Sequence, residues 1–355
     1  MTHAYLNRVG TSVPRHDVHD AFVRFAGTLL NDPRREKLFC RMVDRSGIRH
    51  RYSCLQPSPD PAGERVDAGG FYRRGRFPAT AARMRHYEAA ALPLALAAVA
   101  RLELGAELDR ISHLIVTSCT GFYAPGLDLQ LAAALGLRAS VERTIVGFMG
   151  CYAAFNALKL ARHVVRSEPA ARVLVVNLEL CTLHLQETED LEQVLSFLVF
   201  ADGCAAGLVS ADPQGFALDR FHAELLPSTE ELITWRIGDQ GFDMFLSGRV
   251  PARIGEGLAA AAAAILDGGT VDEVDVWAVH PGGRSVLDAV EAGLGMTPSA
   301  LAPSRAVLAE YGNMSSATIM FILARLLTEA PSGARGCALG FGPGLVAETL
   351  LFHAA

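Results

Sequence analysis

The segment Thr144–Arg162, TIVGFMGCYAAFNALKLAR, sets the reading of the whole chain, because in it a glycine-flanked cysteine opens a helix of small and apolar residues. A thiol at a helix N-terminus lies beside unpaired backbone N–H groups and the positive end of the peptide dipole, and both favour thiolate over thiol. Cys151 therefore has the placement of a nucleophile. The residues before it, TIVGFMG, are too apolar for a surface loop, while Gly147 and Gly150 permit a tight strand-to-helix turn at close backbone approach. The sulfur is expected at the floor of a buried site, carried by a core helix. Free cysteine is also among the residues most often buried for packing alone, so partners elsewhere in the chain decide between the two readings.

Outward from this helix, HLIVTSC (113–119) is an apolar, β-branched run suited to a buried strand, TGFYAPG is a loop, and Leu127–Leu137 is helical. ARVLVVNLEL (171–180) has the continuous apolar character of a central parallel strand buried on both faces. LSFLVFADGCAAGLVS (195–210) gives a helix end, a glycine turn at Asp202 and Gly203, and another strand. Upstream, Asp17–Arg45 reads as helix interrupted at Pro33 and stopped by Gly47; Ser53–Tyr72 is irregular, and Ala79–Leu104 is a long alanine- and leucine-rich helix. Alternating signals of this kind predict α/β layers.

From Asp212 the order recurs. VDVWAVHPGG (274–283) is a second buried strand with a reactive side chain at its C-terminal end, NMSSATIMFILARLL (313–327) a second buried helix with a polar start, and GCALGFGPGLVAETLLF (336–352) a glycine turn and closing strand. Two halves, 1–211 and 212–355, are expected, with the helix starts and strand ends meeting at a shared interface where ligands bind in such folds.

Composition narrows the function. With 355 residues, half of them hydrophobic, and a net charge of −6, the chain can bury a large core and has no general electrostatic case for nucleic acid or an anionic membrane. Seven scattered cysteines, without disulfide or C-x-x-C metal spacing, suit a reducing compartment. MTHAYLNRVG lacks the features of a secretory signal, and the most apolar stretches are too short to span a bilayer, so a cytoplasmic location is expected.

Three segments carry chemistry: GFMGCYA around Cys151, WAVHPGG around His280 and EYGNMSS around Asn313. Taken singly, His280 suits a satisfied core histidine and Asn313 a helix N-cap. Jointly they make a reaction centre. Imidazole beside a thiol takes its proton, the thiolate attacks a thioester, and histidine and asparagine N–H groups stabilise an enolate or tetrahedral oxyanion. Neither a metal nor a redox cofactor is called for.

The succession Cys151, HPGG, YGNMSS, GFGPG resembles the type III polyketide synthases, the chalcone-synthase-like branch of the thiolase superfamily, over essentially the whole chain. The resemblance implies a duplicated, five-layered αβαβα thiolase fold, a homodimer, and iterative condensation of acyl-CoA with malonyl-CoA without a carrier protein or cofactor. It makes Cys151 the acyl-accepting nucleophile, and His280 with Asn313 the pair that supports malonyl decarboxylation. By the same resemblance Phe200 separates tunnel from cavity, Met244 stands where plant enzymes carry a second aromatic gatekeeper, and Cys119, Cys181, His184 and Ser315 shape the cavity. GFGPG, with Gly340, Phe341, Gly342 and Pro343, is the loop that scaffolds cyclisation. Arg41 and Arg45, on one helical face, match coenzyme A-binding positions, and Lys37 stands in for a family lysine replaced by Leu38.

By the same resemblance Cys119 is a bacterial feature, and the small residues around GFYAPG with Met244 in place of an aromatic imply room for an aliphatic acyl chain. An aliphatic starter giving an alkylresorcinol or alkylpyrone is expected; the alternative is a malonyl-primed, tetrahydroxynaphthalene-type enzyme. A β-ketoacyl synthase of fatty-acid initiation would carry a different histidine motif, and a scaffold protein without turnover would have no use for the intact trio.

Overall fold

The structure, a computed structural model, describes residues 2–355. The first half runs β1 (Tyr5–Ser12), β2 (His16–Asp17), α1 (His19–Gly27), α2 (Pro33–Ser46), β3 (Tyr52–Ser53), α3 (Thr80–Ala100), β4 (His113–Ser118), α4 (Leu127–Ala134), β5 (Glu142–Gly147), α5 (Ala153–Ser167), β6 (Val173–Leu180), α6 (Leu191–Val199) and β7 (Asp202–Ser210). The second runs β8 (Phe216–Leu225), β9 (Ile233–Gly238), β10 (Gly241–Leu246), α7 (Val250–Ile265), β11 (Val276–Val279), α8 (Arg284–Leu294), α9 (Ala302–Tyr311), α10 (Ala317–Glu329), β12 (Arg335–Gly342) and β13 (Val346–Ala354).

Nine strands pair in the order β11-β12-β13-β8-β1-β7-β6-β4-β5. Within this sheet the halves join through the β1–β8 pairing, Tyr5 with Ala217 and Leu6 with Phe216. On one side β4 and β6 are parallel, with β7 and then β1 antiparallel; on the other, β11 and β12 are parallel, with β13 and then β8 antiparallel. The recurrence expected from the sequence is thus a repeated strand order.

Helices α5 and α10 touch each other and strands of both halves, so they form a central layer. Helix α10 (ATIMFILARLLTE) is apolar on nearly every side because a sheet lies on each side of it. Helices α3 and α4 cover the outer face of the first half, and α7, α8 and α9 that of the second. Three apolar clusters fill the spaces between layers. This is the five-layered αβαβα arrangement of the expected thiolase fold. Strands β4 and β6 are buried at every residue, as their unbroken apolar runs require.

Local signals placed other elements. Asp32 caps α2 by accepting the Arg34 N–H at 2.7 Å, Pro33 occupies its first turn, and Gly47 ends it with φ 72°. Four details differ from expectation. Asp202 and Gly203 lie inside β7, not in a turn, and Gly203 is required because an added Cβ would stand 2.3 Å from the Met314 sulfur. Gly340–Gly342 are the end of β12, and only Pro343–Leu345 leave the strand. β5 is an edge strand with Ile145 46% exposed, because among the described residues no strand pairs beyond it. Cys151 lies in a single 3-10 turn, Gly150–Tyr152, that leads into α5.

Candidate active site

The thiols, the imidazole and the carboxamide of interest stand after strands of the parallel pairs or just before a central helix. Cys119 follows β4, Cys151 follows β5, Cys181 follows β6 and His280 follows β11, while Asn313 and Ser315 precede α10. Ligands collect at such ends because strand-to-helix connections meet there and helix N-termini converge. One cavity, with an empty volume of about 810 Å3, is lined by Cys151, His280 and Asn313 together. Phe200, Met244, Cys119, Cys181, Ser315, Phe341, Gly342 and Pro343 line it as well.

The backbone holds the three groups. Before Cys151, Phe148 and Gly150 take positive φ values of 57° and 72°, and an added Cβ on Gly150 would stand 2.2 Å from Pro343 Cδ. Asn313 is fixed by a strand-like bridge to Phe200: its N–H donates to Val199 O at 2.7 Å and its carbonyl accepts from Ala201 N at 2.9 Å. Its side-chain Oδ1 accepts the Ser315 N–H at 2.8 Å, and Nδ2 donates to Gly282 O at 3.4 Å. Asn313 is not the N-cap of α10, which is Ser316. The His280 N–H donates to Leu339 O at 2.8 Å, while neither ring nitrogen has a partner among the described residues.

Burial pushes the Cys151 thiol up to about 11, with hydrogen bonds to Ser315 and Asn313 pulling the other way. It pushes the His280 imidazole down to about 3. A thiolate favoured by the helix terminus alone, as the sequence implied, is therefore not what the site provides. Each desolvation penalises a lone charge, so neither the thiol nor the imidazole ionises readily by itself in this cavity.

Beneath the cavity lies a carboxylate the sequence reading passed over. Glu179 accepts from Cys119 N at 2.9 Å, Thr120 Oγ1 at 2.8 Å and Ser316 Oγ at 2.5 Å, and burial raises it to about 7. A charged residue within the buried run VLVVNLEL was the available signal. Trp235 was also missed. It lines the cavity, pairs with Met244 across the β9–β10 hairpin, and donates from Nε1 to Cys119 O at 2.7 Å.

Two expected cavity residues stand behind the wall. His184 bonds through Nε2 to Thr120 O at 2.7 Å, accepts the Phe242 N–H at 3.0 Å on Nδ1, and stacks on the Phe242 ring. Its role in shape is to hold the hairpin, because both nitrogens are engaged. Gly340 makes room for Phe155 and His280: an added Cβ would be 2.6 Å from the Phe155 ring. Cys119 does line the cavity, and its sulfur accepts the Gly150 N–H at 2.9 Å.

A wider groove of about 1500 Å3 shares Leu246, Val250, Gly282 and Val286 with the cavity. Arg45 and Arg284 lie on it, the latter unforeseen; Arg41 and Lys37 are exposed on α2 but do not line it.

The Chalcone and stilbene synthases N-terminal domain family matches residues 3–213, and the C-terminal domain family residues 218–355. The chain is 33% identical to the alpha-pyrone synthesis polyketide synthase-like Pks18 of Mycobacterium tuberculosis, over 99% of this chain and 91% of that one. It is 34% identical to bisdemethoxycurcumin synthase of Oryza sativa, over 71% of this chain and 68% of the relative. The crystal structure of PKS-I from the brown alga Ectocarpus siliculosus superposes with a TM-score of 0.87 at 31% identity, covering 100% of this chain and 99% of that one. The C-terminal type III polyketide synthase domain of Steely1 from Dictyostelium shares the fold, with a TM-score of 0.90 at 24% identity over 99% of each chain. The chain belongs to the chalcone and stilbene synthase family and is an acyltransferase of the type III polyketide synthase class.

Proposed function

We propose that the protein loads an aliphatic acyl group from acyl-CoA onto Cys151, extends it by decarboxylative condensation with malonyl-CoA, and closes the product to an alkylpyrone or alkylresorcinol. The observation that carries this reading is the His280 imidazole, buried and without a partner among the described residues, in one cavity with the Cys151 sulfur and the Asn313 carboxamide. An unmet buried hydrogen bond costs about 1–3 kcal/mol, so a substrate that supplies the partner is bound in proportion.

In loading, His280 takes the thiol proton, sulfur attacks the thioester carbonyl, and coenzyme A leaves with that proton. In extension, the malonyl carboxylate departs as CO2, and the enolate oxygen accepts N–H bonds from neutral His280 and from Asn313 Nδ2. The enolate carbon attacks the acyl-enzyme carbonyl and releases the Cys151 thiolate. Arg45, with Arg41 and Lys37 on the same helix, supplies positive charge for coenzyme A phosphates. No cofactor enters these steps.

The wall chemistry supports an aliphatic starter: a second, mostly apolar cavity adjoins the first across Cys181, Phe197 and Phe200. Cys119, which lines the reaction cavity, favours the malonyl-primed tetrahydroxynaphthalene reading instead. A homodimer, a division at 211/212 and a reducing cytoplasmic setting complete the proposal; the exposed apolar edge at β5, the repeated strand order and seven unpaired thiols support them in turn. Among the described residues no helix is long and apolar enough to cross a membrane.

Mass spectrometry of products from mixed acyl-CoA and malonyl-CoA tests the reading: alkyl-substituted pyrones or resorcinols are expected, and products of malonyl-CoA alone would favour the second. Cys151→Ala should show no acyl-enzyme mass, and Asn313→Ala should acylate without releasing CO2. An acyl adduct persisting in Cys151→Ala would overturn the assignment.

A further inference from the structure

The second cavity is apolar over most of its wall, but it contains one buried cation. Arg51 is 2% exposed. Its Nε donates to His19 Nδ1 at 3.1 Å, Nη1 donates to the carbonyls of Phe197 at 2.9 Å and Phe200 at 2.7 Å, and the guanidinium lies 4.6 Å from the Phe22 ring centroid. Nη2 has no partner among the described residues. Asp17 bonds to the backbone N–H of Arg51 rather than its guanidinium, and Asp67, the other charged side chain on the wall, is occupied by the N–H groups of Phe71 and Tyr72. Burial lowers Arg51 to about 9, which leaves it protonated near neutrality.

We propose that this cavity receives the end of the starter remote from its thioester, and that Arg51 Nη2 donates to an oxygen there, so that chains ending in carboxylate or hydroxyl are selected over chains ending in methyl. The proposal rests on the acyl-primed reading above. A methyl end would cover a buried donor without satisfying it, an oxygen end pairs with it, and a carboxylate also compensates the charge. The partition is part of the same device, because Arg51 holds the carbonyl of Phe200, whose own backbone neighbours hold Asn313.

The test is a matched series of acyl-CoA starters of increasing length, each ending in methyl, hydroxymethyl or carboxylate, with kcat/KM read for each. Below the length that reaches the second cavity the three ends should perform alike; above it, oxygen-ended chains should be favoured by about tenfold or more. The hydroxyl and carboxylate arms separate hydrogen bonding from charge compensation. Methyl-ended chains performing equally or better at every length would overturn the proposal. Arg51→Met removes three hydrogen bonds and risks misfolding, so Ala21→Phe, which fills the cavity from α1, is the second variant; a preference that survives it would also overturn the assignment. Absence of product from every starter would instead refute the acyl-primed reading, whereas turnover of methyl-ended chains without preference would refute only the role of Arg51.

Discussion

At the scale of single residues, the chemistry turns on where one proton sits. Burial sets the Cys151 thiol near 11 and His280 near 3, so neither charges alone at neutral pH. If His280 takes the thiol proton as proposed, His280→Gln removes that acceptor while keeping a polar side chain of similar reach. Alkylation of Cys151 by iodoacetamide should then fall by about 100-fold at neutral pH and rise about tenfold per pH unit, as expected for an isolated buried thiol. In the native protein the rate should be much flatter with pH. Equal alkylation profiles for the two proteins would show that His280 does not govern the sulfur. Met244 tests shape rather than charge. It opposes Trp235 on the cavity face of the hairpin, and methionine has torsional freedom that a ring lacks. Met244→Trp should therefore shift the product profile to shorter starters, read by mass spectrometry against an acyl-CoA ladder.

Among elements, the junction between β5 and α5 is the most constrained. Gly150 sits at φ 72° with Pro343 against the place a side chain would take. Gly150→Ala should cost about 1–3 kcal/mol from backbone conformation alone, before the clash with Pro343 is counted. Because the strain falls one residue from the sulfur, acyl loading should drop more steeply than stability; equal loading with lowered stability would make Gly150 a packing residue only. Glycines here also mark how far the sequence could be read. GFGPG looks like a loop by composition, yet Gly340 and Gly342 are strand residues whose missing side chains admit Phe155 and Tyr152 from the opposite half. No local pattern distinguishes a glycine needed for a turn from one needed for a neighbour's ring. The placement of His184 was hidden for a related reason: two hydrogen bonds turn its ring to hold the hairpin from behind the cavity wall.

For the whole molecule, the polar network under the cavity joins the halves: Ser316 from the second reaches Glu179 of the first. Burial raises Glu179 from 4.5 to about 7, so its contribution to stability is full below 4.5 and is lost as pH rises through 7. At about 1.4 kcal/mol per pKa unit, the loss amounts to roughly 3 kcal/mol. Glu179→Gln should remove it, and the Tm of the variant relative to the native protein should climb between about pH 5 and pH 8 by amounts this order of energy implies. A constant difference across that range would mean the carboxylate does not ionise in the fold. The lowered His280 acts with the opposite sign, losing stability as pH falls from 6.5 toward 3. At the open edge Ile145 is 46% exposed, and Phe122 and Leu129 in the connection and helix before β5 are exposed as well. If a second copy covers β5, Ile145→Asp should convert a dimer to a monomer in size-exclusion chromatography with light scattering, and an unchanged mass would place the interface elsewhere.

The amino-acid order by itself determined the alternation of elements and the duplication, and it singled out Cys151, His280 and Asn313 as candidates, because hydrophobic periodicity and motif context are local properties of a chain. Only the tertiary structure decided which side chains share a cavity and which stand behind its wall. It also revealed Glu179 beneath the thiols and Arg51 with an unpaired nitrogen beside the partition. Those outcomes depend on contacts between residues far apart in the chain, where burial changes a group's charge and a neighbour's ring claims the space that composition alone leaves open.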